Sequence, residues 1–68
     1  MKKNIKFIGI ENGHNVYEFE YKDDDSGKKY VGVMADEVAE KDPEAVKEIG
    51  GFLAVDYDKI GVKFREAQ

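Results

Sequence analysis

The stretch ENGHNVYEFEYK at residues 11–22 decides the fold, because it joins a tight turn to a regular strand. Asn12-Gly13 is a strong hairpin signal, since both residue types tolerate the positive φ angles of a type I′ turn. After the turn, Tyr17, Phe19 and Tyr21 alternate with charged residues, as in a strand with one buried face. We therefore predict a β-hairpin whose core face consists of Tyr17, Phe19 and Tyr21.

The segments around this hairpin extend it into a sheet. Residues 5–10 (IKFIGI) form a short apolar run that predicts a buried strand. A polar loop at residues 23–28 contains Gly27, and residues 30–34 (YVGVM) predict a third strand. The simplest topology is a three-stranded antiparallel meander.

The second half of the chain changes character. Residues 35–41 (ADEVAEK) are mostly good helix formers, and Asp42-Pro43 ends the predicted helix. Residues 46–49, Gly50-Gly51 and residues 52–55 predict a second small hairpin. Beyond it, the apolar spacing fits both a helix and a strand, and we expect a short helical turn from Asp56. The fold class is therefore α+β, with one central helix, a short C-terminal hairpin and a short C-terminal helix.

Length and composition limit what the chain can be. Its 68 residues predict one domain at 1–68, and 41% apolar residues suffice for a thin core. The net charge of -4 argues against a nucleic-acid partner. No apolar stretch is long enough for a membrane span or a signal peptide, so we expect a cytoplasmic protein when it is made.

Candidate chemistry is sparse. There is no cysteine or threonine, and Ser26 and His14, each expected in an exposed turn, are the only nucleophile and base that spacing could pair. Glu37 and Glu40 are expected on a solvated helix face, and residues 23–25 (DDD) do not match an EF-hand loop. We predict no catalytic residues, no cofactor, no metal and no enzymatic activity.

Four blocks of sequence are more specific in combination. They are YVGVMADEV at residues 30–38, PEAV at 43–46, GF at 51–52 and VDYDKI at 55–60. In order and spacing they resemble the endosialidase-type C-terminal intramolecular chaperone domain of phage tail spikes and tail fibres. The residues that carry the resemblance are Gly32, Met34, Ala35, Glu37, Val38, Pro43, Glu44, Ala45, Val46, Asp56 and Tyr57.

The resemblance implies a domain that helps three chains fold in register and is then released by a serine and a lysine. Lys2 stands at the position of that lysine, whereas the serine would precede Met1. Asp36 replaces the usual glutamine, and the long C-terminal bundling helix of the family is cut short. Self-cleavage is therefore expected to be lost.

Three functions follow as hypotheses. The leading one is a non-catalytic tail-fibre assembly module that contacts a protein partner, which includes further copies of itself (a trimer by resemblance), and that ends in the virion. The alternative is a small phage-encoded inhibitor of a host protein, suggested by its size and acidity. A weaker alternative is a vestigial serine/lysine autoprotease.

Overall fold

The computed structural model describes residues 2–67 and confirms the predicted α+β class. The first sheet contains β1 (Lys2–Glu11), β2 (His14–Tyr21), β3 (Tyr30–Gly32) and β6 (Arg65–Glu66), in that order and antiparallel throughout. A second sheet is the hairpin of β4 (Val46–Ile49) and β5 (Phe52–Val55). Helix α1 (Ala35–Lys41) and a 3-10 turn (Pro43–Ala45) connect β3 to β4 along the chain, and helix α2 (Tyr57–Ile60) follows β5.

The predicted turn joins the first two strands of the first sheet. Asn12 and Gly13 have φ angles of 51° and 80°, as a type I′ turn requires, and Glu11 pairs with His14 across it. Strand β1 then runs beside β2 with two irregularities, one between Lys3 and Lys6 and one between Phe7 and Gly9. Each inserts an extra residue in β1, so β1 bends and twists more than its partner.

Two clusters of side chains hold the fold together. The aliphatic cluster consists of Val16, Val31, Val33, Val38, Ala45, Ile60 and Val62. The aromatic cluster consists of Phe19, Tyr21, Tyr30, Tyr57 and Phe64. Within it, the Tyr30 and Phe64 rings stack with their centroids 5.6 Å apart. Both clusters contain residues of the first sheet and residues of the last third of the chain. Each cluster therefore packs the end of the chain against that sheet.

Burial differs from the sequence-based expectation at three places. Strand β1 is not a buried strand, since Ile5, Phe7, Ile8 and Ile10 are 44–65% exposed. Of the predicted core face, Phe19 is buried, but Tyr17 and Tyr21 are only partly buried. The short chain has too few elements to cover the whole sheet, so its aliphatic cluster fills the centre and its edge stays open.

His14 is the third correction. We expected a solvent-exposed turn histidine, but His14 opens β2 and is only 5% exposed. Its Nε2 atom lies 2.7 Å from Oδ2 of Asp42, the residue that follows α1. The imidazole therefore links the first residue of β2 to the residue that follows the central helix.

Replacing Phe19 by alanine is expected to lower the free energy of unfolding by about 3–5 kcal/mol, the range for truncation of a buried phenylalanine. A chain of this length has about 3–10 kcal/mol in total, so the variant should be largely unfolded or close to it. Phe52→Ala is the matched control, because Phe52 is 77% exposed. Urea denaturation followed by circular dichroism measures both, and equal midpoints for the two variants would contradict the assignment of the core.

The His14–Asp42 pair is expected to show a coupling energy of about 0.5–3 kcal/mol in a double-mutant cycle with alanine at both positions. The pair is strong because His14 is shielded from water. The control is the pair of Lys29 and Glu18, whose charged atoms are 3.9 Å apart at the surface, and there about 0.2–1 kcal/mol is expected. Urea midpoints of the seven proteins of the two cycles, which share the wild type, measure both energies, and a coupling for His14–Asp42 no larger than the control would refute its role.

Candidate interaction surface

The β4–β5 hairpin projects from the rest of the chain. Only its two base residues, Val46 and Val55, are partly buried, and the remaining residues of both strands are exposed. Near its tip it presents three large apolar side chains, those of Ile49, Phe52 and Leu53. A two-stranded hairpin has little stability of its own, so its base must be held by the rest of the fold.

The residues on either side of the hairpin hold that base. The backbone N–H of Asp56 donates to the carbonyl of Ala45 over 2.7 Å, which joins the two ends of the hairpin. The Asp56 carboxylate then caps α2 by accepting from the backbone N–H of Asp58 at 3.1 Å. Lys59 adds a bond from its ammonium group to the carbonyl of Glu44 over 3.3 Å. The residues that precede and follow the hairpin are therefore joined to each other by hydrogen bonds. We call this hydrogen-bonded base the junction.

Tyr57 and Gly32 attach this junction to the first sheet. The backbone N–H of Val33 donates to the Tyr57 hydroxyl over 3.2 Å. A Cβ atom at position 32 would lie 2.6 Å from that hydroxyl oxygen and 3.0 Å from the ring of Phe64, so only glycine allows the approach. Burial raises the pKa of the Tyr57 hydroxyl, against a smaller opposing effect of the Val33 N–H. The hydroxyl thus stays protonated and acts structurally.

Helix α1 supports the same junction from the other side. Val38 is buried in the aliphatic cluster, and α1 contacts both β4 and β5. The Tyr17 hydroxyl donates to both carboxylate oxygens of Glu37 at 2.9 Å, and this hydrogen bond raises the pKa of Tyr17. Glu37 is therefore engaged in holding α1 against the sheet.

The residues that carry the sequence resemblance thus share a location. Gly32 ends β3, Met34, Ala35, Glu37 and Val38 begin or form α1, and Pro43, Glu44, Ala45 and Val46 lead into the hairpin, while Asp56 and Tyr57 leave it. Of the blocks that carry the resemblance, only Gly51-Phe52 lies in the exposed apolar tip. The other blocks build the support of the hairpin.

Shallow clefts flank the hairpin. One, of about 240 Å³, is lined by Ile49 and Ala54 together with Lys47, Lys59 and Glu44. The other, of about 170 Å³, lies between Leu53 and the aromatic cluster and includes Lys2. Both are smaller than the 300–1,000 Å³ typical of small-molecule sites. Their mixture of apolar walls and charged rims is suited to the side chains of a protein partner.

Strand β1 is a second exposed apolar surface. It is the first strand of the sheet order and therefore an edge strand. Its four large apolar side chains, Ile5, Phe7, Ile8 and Ile10, are accompanied by Lys2, Lys3, Lys6 and Glu11. Only the Phe7 ring finds an aromatic neighbour, with its centroid 5.8 Å from that of Tyr17.

The structure does not bring the candidate catalytic groups together. His14 begins β2, whereas Ser26 lies in the loop beyond its far end, so eight residues of extended strand, about 25 Å, separate them. The Ser26 hydroxyl accepts from the backbone N–H of Lys28 at 3.3 Å and belongs to a local turn. His14 is directed to Asp42, so the histidine is not beside the Ser26 hydroxyl.

Lys2 packs on the aromatic cluster. Its ammonium nitrogen lies 4.9 Å from the centroid of the Phe19 ring, within the range of a cation–π contact. Burial lowers the pKa of Lys2, and the negative charge of Asp36 partly opposes this. Lys2 therefore covers the face of the buried Phe19 ring, a role that packing and charge explain.

The described residues contain neither a group of metal ligands nor a membrane-spanning helix. Within residues 2–67, no three acidic, histidine or cysteine side chains are grouped as metal ligands. Glu37 and Glu40 line a small cleft with His14 and Lys41, but Glu37 is already bonded to Tyr17. Over the same residues, neither helix has the length and apolar character needed to span a bilayer.

The exposed surfaces were missed by reasoning from the sequence. Apolar runs at residues 5–10 and 52–55 were interpreted as strands, correctly, but strand patterning does not tell what covers a strand. The sequence contains one signal of this exposure. Both runs have apolar residues at consecutive positions, and a chain of this length has few residues left to cover them.

Comparison with known proteins gives no further guidance: no protein-family model, no curated protein and no solved structure matches this chain.

Proposed function

We propose that this chain is a non-catalytic module that acts by protein–protein contact, and that its partner is a polypeptide of a phage tail fibre or tail spike. The observation that carries the proposal is the β4–β5 hairpin, with Ile49, Phe52 and Leu53 exposed at its end. Exposed apolar side chains of this size are typical of surfaces that another protein covers.

The construction of the hairpin supports contact as its purpose. Three separate interactions, at Asp56, Tyr57 and Lys59, hold its base, while Ile49 and Phe52 at its tip are 61% and 77% exposed. Phe52 and Ile49 face each other next to the Gly50-Gly51 turn. Phenylalanine is among the aromatic residues that are enriched at protein interfaces.

The identity of the partner rests on the sequence resemblance. The residues of the resemblance build the support of the hairpin and do not form a reactive centre, and a chaperone domain needs such a rigid support for a contact element. Catalysis is disfavoured by the distance between Ser26 and His14 and by the packing of Lys2 on Phe19. An assembly role agrees with these observations better than a vestigial protease does.

A photo-crosslinking experiment tests the proposal. Benzoylphenylalanine in place of Phe52 is expected to crosslink the chain to a tail-fibre or tail-spike polypeptide in phage-infected cells, identified by mass spectrometry. The same amino acid in place of Lys63, which is also exposed, is the control and should crosslink several-fold less. Ile49→Ala, introduced into the Phe52 probe, should reduce the yield with little change in melting temperature, since Ile49 pairs with Phe52 and is 61% exposed.

Two outcomes would contradict the proposal. Equal yields from positions 52 and 63 would show that the hairpin is not the contact surface. A specific crosslink from position 52 to a host enzyme or regulator would favour the inhibitor hypothesis instead.

A further inference from the structure

We propose that Asn12 is a site of self-modification: when the turn between β1 and β2 opens, the backbone nitrogen of Gly13 attacks the Asn12 side-chain amide, and the closed fold prevents this reaction. The products are aspartate or isoaspartate at position 12, together with ammonia. The inference concerns the β1–β2 turn and does not depend on what the β4–β5 hairpin binds.

The reaction needs only the two residues of the turn and water. The Gly13 nitrogen gives up its proton, and its electron pair forms a bond to Cγ of Asn12. The bond from Cγ to Nδ2 then breaks, and the departing nitrogen takes up a proton and leaves as ammonia. Water opens the resulting cyclic imide at one of its two carbonyl groups. Cleavage at Cγ gives aspartate, and cleavage at the backbone carbonyl gives isoaspartate, in which the chain runs through Cγ.

The sequence makes Asn12 the reactive asparagine of the chain. Of the three asparagines, only Asn12 is followed by glycine, whereas Asn4 precedes an isoleucine and Asn15 a valine. A β-branched side chain crowds the attacking nitrogen, while glycine has no side chain and leaves the backbone free to reach the geometry of attack. Asn12 is also exposed, so water can reach it.

The folded backbone holds the two reacting atoms apart. Asn12 has a φ angle of 51° and lies in the left-handed region, as the type I′ turn requires. In that region the Cβ atom of a residue lies close to its own carbonyl oxygen. The oxygen and the next nitrogen lie on opposite sides of the planar carbonyl carbon, so Cβ of Asn12 is directed away from the Gly13 nitrogen. Because the ring that forms contains both atoms, the turn must open before it can close.

The Asn12 side chain is held in place as well. Its Nδ2 atom, which is the leaving group of the reaction, donates to the carbonyl of Gly61 over 2.6 Å. A Cβ atom at position 61 would lie 2.5 Å from that nitrogen, so the amide packs directly against the backbone at the end of α2. The amide therefore has little room to rotate toward Gly13.

Contacts with distant parts of the chain keep the turn closed. The ammonium group of Lys41, at the end of α1, donates to the carbonyl of Gly13. Glu11 accepts from Arg65 in β6 over 2.8 Å, and His14 is bonded to the residue that follows α1. Each of the four consecutive residues from Glu11 to His14 thus contacts a residue at least 28 positions away. Opening the turn therefore costs tertiary contacts, and few folded molecules are open at any time.

The reaction removes one of these contacts. In aspartate, a carboxylate oxygen replaces the Nδ2 donor and faces the Gly61 carbonyl, so two acceptors oppose each other. In isoaspartate, the backbone of the turn gains a methylene group, which disturbs the pairing of Glu11 with His14. Either product weakens the closed turn, so a chain that has reacted folds less well than before. The modification thus accumulates with the time that a chain spends open.

Peptide mapping by mass spectrometry tests the proposal, because an amide and a carboxyl group differ in mass. In guanidinium chloride, Asn12 is expected to convert while Asn4 and Asn15 stay largely intact over the same time. In native buffer at the same pH and temperature, conversion of Asn12 should be slower by a factor of about 100 or more, since a folded domain is open for less than about 1% of the time. Equal rates at Asn12 in the two solutions, or conversion in guanidinium chloride no faster than at the other two asparagines, would overturn the proposal.

A variant that loosens the closed turn provides the second test. Lys41→Met removes the donor to the Gly13 carbonyl and keeps a good helix former at the end of α1. It should raise the rate in native buffer about three- to tenfold, the shift in an opening equilibrium that loss of one hydrogen bond produces. Lys47→Met, at an exposed position in the second sheet, is the matched control and should react at the wild-type rate. A rate for Lys41→Met no higher than that of the control would show that tertiary contacts do not gate the reaction, and the proposal would fail.

Discussion

The fold depends on the close approach of Tyr57 to the backbone at Gly32 and Val33. Because position 32 has no Cβ, the Tyr57 hydroxyl can accept from the Val33 N–H, and the Phe64 ring can lie against the same strand. This contact joins α2, and through it the base of the hairpin, to the first sheet. Without it the aromatic cluster would lose two of its rings, and the second half of the chain would be held to the sheet by α1 and by the pairing of β6 with β3.

Local structure was predictable because the signals for it are local. The Asn12-Gly13 turn, the helix formers of residues 35–41 and the Gly50-Gly51 turn each act within a few residues. The helix at 35–41 and the strands at 46–49 and 52–55 have the predicted bounds, whereas β1 (Lys2–Glu11) is longer than the predicted strand at residues 5–10. Asp56 was also expected to begin a helical turn, and its carboxylate does cap α2. The choice between helix and strand for the last segment was settled by Gly61, which ends α2 with a φ angle of 70° and lets the chain return to the sheet as β6.

Burial was less predictable because it depends on contacts between distant parts of the chain. His14 was placed in an exposed turn, yet Asp42, 28 residues away, provides a partner that makes its burial possible. The apolar residues of β1 were placed in the core, yet the aliphatic cluster is filled by Val16, Val31, Val33 and residues that follow α1. Alternation along a strand gives the direction of its side chains, but the amount of chain available to cover them decides which are buried.

The division of the molecule into a fixed support and exposed apolar ends has an energetic reason. Exposed side chains are hydrated in both the folded and the unfolded chain, so the exposure of seven large apolar side chains of β1 and the hairpin costs no stability but forgoes the gain of burying them. Burying Ile5, Phe7, Ile8 and Ile10 inside the chain would require a further covering element, which 68 residues do not provide. Covering them with another polypeptide achieves the same burial without lengthening the chain. Exposure of β1 and of the hairpin is thus the direct consequence of a sheet larger than its own core.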